Sequence, residues 1–230
     1  MPSRARTAPS SSATPAPDSA CEAARYALLR RLAPSMRHHL VVNLQPIGMI
    51  YEVLDRRLRA DEPDLREVHE SAQKINGFAR AALDSSLDMI TWLSPPPEAA
   101  TTVADGVREC LGLLATSLTF RGYALRNDVM PLQGRTHRSA MRTVLSATLL
   151  HLTDEHAPPA EISLSAQDTA QAFVLKLALR EGEGESGFTP EPAYRPLQWN
   201  DVQALASAES VELVRETKQA ISLVLPRVAA

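Results

Sequence analysis

The sequence predicts an α+β fold, a long antiparallel helical hairpin followed by a two-layer α/β sandwich. Three observations predict it. Apolar residues recur at helical spacing through two long blocks, about 21–60 and 64–93. Turn-forming stretches close these blocks, ADEPD at 60–64 and SPPPEAA at 94–100. Beyond them helix-like and strand-like segments are mixed, which groups helices with a mostly antiparallel sheet.

In the first block Leu28, Leu32, Met36, Leu40, Leu44, Ile47, Tyr51, Leu54 and Leu58 step by three or four. At about 100° per residue they stay within roughly 80° of the direction of Met36. Pro34 and Pro46 interrupt the pattern and predict a kink or a restart at each. Pro63 is placed to open the second helix, which carries Leu65, Val68, Ala72, Ile75, Ala79, Ala82, Ser86, Ile90 and Leu93 on one side. Its small residues permit close helix approach. Two helices joined by a short turn make a hairpin, and a hairpin alone buries little apolar surface. Pairing of two copies into a dimeric four-helix bundle is therefore expected. SPPPEAA then reads as a hinge, and the chain divides into a tail (1–20), a hairpin (21–94) and a sandwich (95–230).

Within the sandwich, 102–120 reads as a helix through Val103, Val107, Cys110, Leu111, Leu114 and Leu118, and 121–129 as a strand. A helix follows at 137–153, then strands at 162–166 and 173–179 with a polar turn between them. A Gly/Glu/Pro loop spans 181–198, a helix 200–209, and the last strands 211–214 and 221–225.

Composition narrows the function. Hydrophobic residues make up 44% of 230, enough for a real core. The net charge of −3 with mixed signs, and 4% aromatics, argue against nucleic acid as a partner. Cys21 and Cys110 are too few and too far apart for a disulfide framework or a zinc site, which fits a cytoplasmic setting. The Ser/Ala/Pro-rich start has no apolar core of a signal peptide and reads as a disordered tail, and no run is long enough to span a membrane. His69, His137, His151 and His156 lack metal-ligand spacing. Trp92 and Trp199 are expected to close helix ends against the core, and Glu181, Glu183 and Glu185 to be solvated.

The stretch 36-MRHHLVVNLQPIGMI-50 stands apart. His38 lies about 200° from Met36 and points away from the apolar stripe, while His39 falls about 60° from the stripe centre. Val41, Val42, Gln45 and Met49 share the direction of His38. An exposed histidine beside an apolar patch is either an incidental surface residue or a nucleophile at a docking site.

The same stretch resembles the H-box of bacterial sensor histidine kinases, with His38 as phosphoacceptor, Leu40 at +2, Leu44 at +6 and Ile47 at +9. Placing His39 at zero puts Gln45 at +6 and spoils the pattern. The resemblance spans about residues 22–228 and implies a degenerate Bergerat-type ATPase sandwich after the hairpin. It departs from the family at several places. His39 stands where an acidic residue is usual, a position from which the resemblance implies support of the phosphoacceptor, and Val42 stands where Thr or Asn serves phosphatase chemistry. Ala147 and His151 occupy the positions of the asparagines that hold Mg²⁺ and phosphate. Arg180 replaces the adenine-reading Asp before Gly182 and Gly184, and a guanidinium has no acceptor. No glycine follows Gly187, so a second Gly-rich loop is missing.

A histidine-bearing hairpin on a decayed ATPase domain is similar to dimeric bacterial histidine phosphotransferases. The resemblance implies a phosphorelay carrier in a two-component system, passing phosphate between receiver-domain aspartates through His38 without binding ATP. It binds no cofactor of its own, the receiver bringing Mg²⁺. Its partners would be response-regulator receivers and an upstream hybrid kinase, docked on Val41, Val42, Gln45 and Met49 and steered by Arg37. The runner-up is a non-catalytic dimeric adaptor that binds a regulator or kinase through the same surface. An active ATP-dependent kinase ranks last, because the Asn, Asp and glycines are missing.

Overall fold

The computed structural model describes residues 19–96, 98–182 and 194–228. Residues 1–18 of the expected tail, Gly184, and Glu183 and Glu185 of the acidic loop lie outside the described residues, while Ser19 and Ala20, counted with the tail, are helical. Two long helices lead, α1 (Ser19–Leu58) and α2 (Leu65–Leu93). Asp64 starts α2 as its N-cap, its carboxylate accepting the Arg66 N–H at 2.8 Å. Arg56 and Arg57 sit in the last turn of α1, where cations suit the helix dipole. Arg57 also ties the hairpin turn, reaching Glu67 at 3.2 Å and the Ser71 hydroxyl at 3.1 Å.

The expected restart at the prolines does not occur, since α1 runs unbroken through Pro34 and Pro46. Pro34 withholds an N–H from the Arg30 carbonyl, and both residues are exposed, so water can satisfy the orphaned oxygen.

After α2 come β1 (Ala100–Thr101), α3 (Val103–Phe120), β2 (Tyr123–Asn127) and β3 (Thr136–His137). One continuous helical stretch follows, made of α4 (Arg138–Ala140), a turn of π-helix (Met141–Leu145) and α5 (Ser146–Glu155). Then come β4 (Ala160–Asp168), β5 (Ala172–Glu181), α6 (Trp199–Ala208), β6 (Glu212–Thr217) and β7 (Ala220–Pro226). The main sheet has the order β2-β4-β5-β7-β6, parallel only between β2 and β4. The small β1-β3 pair was not anticipated; two residues per strand carry no readable alternation. Along β5, Phe173, Leu175, Leu177 and Leu179 face inward by strand alternation, and the helices cover that face. Gly106 lets α3 approach the π turn, because a Cβ there would stand 2.8 Å from the Met141 side chain.

The core does not stop at the hinge. Cys21, Ala24, Ala27, Leu28, Leu32 and Met36 of α1, and Trp92 of α2, belong to the same buried cluster as the sandwich. The apolar stripe of α1 therefore has two fates. Leu28, Leu32 and Met36 are buried against the sandwich, whereas Leu44, Tyr51 and Leu58 are exposed by half or more. On α2 the residues expected to share one face are largely exposed too, including Leu65, Ala72, Ala79, Ile90 and Leu93, while Ser71, Ala82 and Trp92 are the buried ones. No helix among the described residues is long and apolar enough to cross a membrane.

Candidate functional site

The middle of α1 presents the exceptional pair. His38 is exposed and His39 half-buried, as the helical arithmetic predicts, with ring centroids 6.3 Å apart. The His38 ring makes no hydrogen bond to any described residue, which leaves both nitrogens open to solvent and visitors. Val41, Val42 and Met49 around it are 45%, 51% and 62% exposed, and Arg37 and Gln45 are exposed as well. At about 100° per residue, Val41, Val42, Gln45 and Met49 all point within roughly 60° of His38.

The two histidines open onto different clefts. His38 shares a groove of about 230 Å³ with Pro34 and Ser35 of α1 and with Leu113, Thr116, Ser117 and Phe120 of α3. No Asp, Glu, Lys or Arg lines it. His39 lines a cleft of about 220 Å³ with Ser85, Asp88 and Met89 of α2 and with Arg108 and Glu109 of α3. The two carboxylates of the His39 cleft are already paired with Arg142, and Arg108 lines it as well, whereas the His38 groove holds no carboxylate at all.

A simple signal marks the His38 side. Residues 23–51 contain no Asp or Glu, and neither do residues 110–127. Both walls of the groove therefore come from acid-free segments, although the whole chain is net acidic. The first segment carries Arg25, Arg30, Arg31 and Arg37, and a count of carboxylates along the sequence would have found this asymmetry.

The residues expected at a decayed nucleotide site lie apart from His38. Ala147 is fully buried on α5. His151 is buried one turn further on, with Nδ1 2.9 Å from the Leu197 carbonyl. A carbonyl only accepts, so Nδ1 is the donor in this contact. The Nε2 of His151 has no hydrogen-bond partner and stands 3.6 Å from the Glu155 carboxylate. Trp199 packs beside the ring at 5.6 Å, and Arg215 lies over Trp199 while donating to Glu155 at 2.6 Å. Arg180 is exposed near the end of β5, opposite Glu161. Gly182 packs where a Cβ would stand 3.2 Å from the Ala160 nitrogen, and its N–H donates to the Pro159 carbonyl at 3.0 Å. A packing role accounts for this glycine. Among the described residues no His/Cys/Asp/Glu cluster can hold a metal ion.

Sequence reasoning missed two arginines that hold the hairpin on the sandwich. Arg31 of α1 makes a bidentate pair with Asp154 of α5 at 2.6 Å on each oxygen, both side chains 4% exposed. Asp154 also accepts the Leu197 N–H at 2.9 Å, and Arg31 donates to the Arg195 carbonyl at 3.2 Å. Arg142, on the π turn, reaches the other way. It bonds Asp88 at 2.7 Å and Thr91 at 2.6 Å on α2, bonds Glu109 on α3, and lies over the Trp92 ring at 4.8 Å. These contacts fix α3 beside His38.

A scan against protein-family models finds no match, and neither does a search of curated proteins. Solved structures of similar outline are histidine kinase domains and a phosphotransferase. A histidine kinase from Burkholderia phymatum is 16% identical, with 88% of this chain and 98% of that chain covered, at a TM-score of 0.41. A bacterial phosphotransferase is 12% identical over 86% of this chain and 95% of its own, at 0.40. Histidine kinase ThkA, solved in complex with response regulator protein TrrA, is 14% identical over 89% of this chain and 63% of its own, at 0.44. These likenesses concern outline, and the functional reading rests on the residues.

Proposed function

We propose that this chain is a histidine phosphotransfer protein, passing phosphate between receiver-domain aspartates through His38. One observation carries the reading. His38 stands exposed and unbonded on an acid-free face beside a groove free of Asp, Glu, Lys and Arg, next to an apolar patch a partner could cover. Imidazole is a competent nucleophile around neutral pH. Its lone pair forms the N–P bond while the P–O bond of the aspartyl phosphate breaks, and the electron pair leaves on the carboxylate. The ring, now cationic, returns to neutrality by losing its N–H proton to water. The reverse step delivers the group to a second aspartate. The receiver brings the Mg²⁺ that offsets charge in both steps, and an upstream hybrid kinase is the source of the first.

The working form in this reading is a homodimer. The exposed Leu44, Tyr51 and Leu58, seven residues apart, and Leu83, Leu87 and Ile90, four and three apart, form stripes that suit a four-helix bundle. ATP has no part in it. Arg180 offers no acceptor, Ala147 offers no ligand oxygen, and the Nδ1 of His151 is spent on Leu197. A non-catalytic adaptor is the second reading, favoured by Val42 and His39 standing where the kinases carry phosphatase and acid-base residues.

The test charges receiver domains from the source organism with labelled phosphate and mixes each with wild type, His38→Ala and His39→Ala. Label on wild type and His39→Ala but not His38→Ala establishes the carrier. Binding of a receiver without any label overturns it in favour of the adaptor.

A further inference from the structure

We propose that the groove between α1 and α3 seats the acidic, phosphoryl-bearing face of the receiver, so that the sandwich supplies half of the dock. This deepens the phosphotransfer reading and rests on it. His38 is itself a wall of the groove, facing Leu113, Thr116, Ser117 and Phe120 across it. Any group that comes within bonding distance of the His38 ring from that side must lie over α3. A hairpin-only dock would leave this wall without a use.

Charge selects the occupant. The two segments that build the groove, 23–51 and 110–127, lack carboxylates, while Arg30 and Arg37 are exposed on α1, about 80° and 100° round the helix from His38. Arg37 has no carboxylate partner among the described residues. A surface so arranged attracts a partner whose contact face is acidic and carries a phosphoryl group. It gives a second copy of this chain, which presents the same basic face, no electrostatic gain.

Size and continuity agree. About 230 Å³ is below the roughly 300–1,000 Å³ typical of small-molecule pockets, and the groove is open along one side. It suits a protruding loop of a larger body. The exposed Val41, Val42 and Met49 follow His38 on the same side of α1, and Phe120, 63% exposed, adds an aromatic of the kind that anchors interfaces. The Arg31–Asp154 pair and Arg142 hold both walls in one frame, so the dock is preformed.

The experiment uses the full chain and the receiver that labels wild type fastest after charging with acetyl phosphate. Thr116→Glu and Ser117→Glu place a carboxylate on exposed α3 positions, and Phe120→Ala removes the aromatic without adding charge. Thr116→Glu is expected to weaken receiver binding by at least about tenfold and to slow labelling at sub-saturating receiver, with melting temperature and mass in solution unchanged. Phe120→Ala is expected to weaken it in the same direction. Wild-type affinity and labelling in all three variants would overturn the proposal while leaving the carrier reading intact. A changed mass in solution would also overturn it, by making the groove an interface between copies. Absence of label on wild type from every receiver would instead remove the carrier reading itself.

Discussion

The Arg31–Asp154 pair makes a quantitative prediction about how the hairpin is held. Both side chains are 4% exposed, and the guanidinium donates to each carboxylate oxygen at 2.6 Å. Arg31→Met would leave Asp154 buried with the Leu197 N–H and with Arg121 at 3.8 Å as its remaining support. Removing one partner of a buried ion pair costs about 3–5 kcal/mol, and Arg121 places this case near the lower figure. For a chain of this size a loss of about 3 kcal/mol corresponds to a melting temperature roughly 6–12 °C lower. The double replacement Arg31→Met with Asp154→Leu strands no charge and loses mainly the acceptor for Leu197, about 1 kcal/mol. The two single losses should therefore exceed the double by about 2 kcal/mol or more. Urea unfolding of the four proteins measures the cycle. Hydrogen exchange should show 19–36 of α1 less protected in the singles and restored in the double. Single losses below about 1 kcal/mol, or strictly additive ones, would refute the view that this pair sets the docking of α1.

Three further outcomes follow from the site and its supports. Wild type should sediment at twice its 25.0 kDa chain mass, and Leu44→Glu with Tyr51→Glu, which put charge on the exposed stripe, should sediment as a single chain. A single-chain wild type would remove the bundle. Mg²⁺ with about 1 mM ATP should leave the melting temperature unchanged, since only a ligand bound by the folded state raises it; a rise would return a nucleotide site to the sandwich. Asp201 accepts the Gln198 N–H at 2.8 Å at the start of α6, and its bond with Arg195 holds its carboxyl below the ordinary 3.8. A carboxyl depressed on folding stabilises fully above its unfolded value and loses that contribution as pH falls through the folded one. Asp201→Asn should thus cost about 1 kcal/mol near neutral pH, with the difference from wild type shrinking below about pH 4 in acid-unfolding curves.

The helices were legible because their evidence is local. Helical periodicity located α1, α2 and α3 to within a residue or two, and Asp64 and Pro63 marked the start of α2. The direction of His38 followed from the same arithmetic. What separates Leu32 from Leu44 was not legible, since both are leucines on one stripe. One meets the sandwich and the other meets solvent in the single chain, a matter of tertiary contact alone. Arg31 was equally opaque. Its partner Asp154 lies 123 residues away, and an arginine amid leucines on a helix reads as a solvated flank until that partner is seen. The prolines misled for a related reason, because the cost of a missing N–H falls where water can reach the orphaned carbonyl.

The joint between hairpin and sandwich divides its labour between apolar and ionic contacts. Swinging α1 away would expose Leu28, Leu32 and Met36, each worth about 1.5–3 kcal/mol when buried. The sum, roughly 4.5–9 kcal/mol, leaves fewer than about one molecule in a thousand open. The ion pairs add little net energy to this, since their charges are resolvated on opening. They set register instead: a bidentate pair has one good geometry, so Arg31 fixes α1 on α5 while Arg142 fixes α2 on the π turn. An enzyme that must carry a bound nucleotide to its own histidine needs a joint that opens. In the proposed carrier role the phosphoryl group would arrive on a partner, and the histidine and the facing wall of α3 would have to stay at constant distance; a joint closed by apolar side chains and keyed by two arginines meets that requirement.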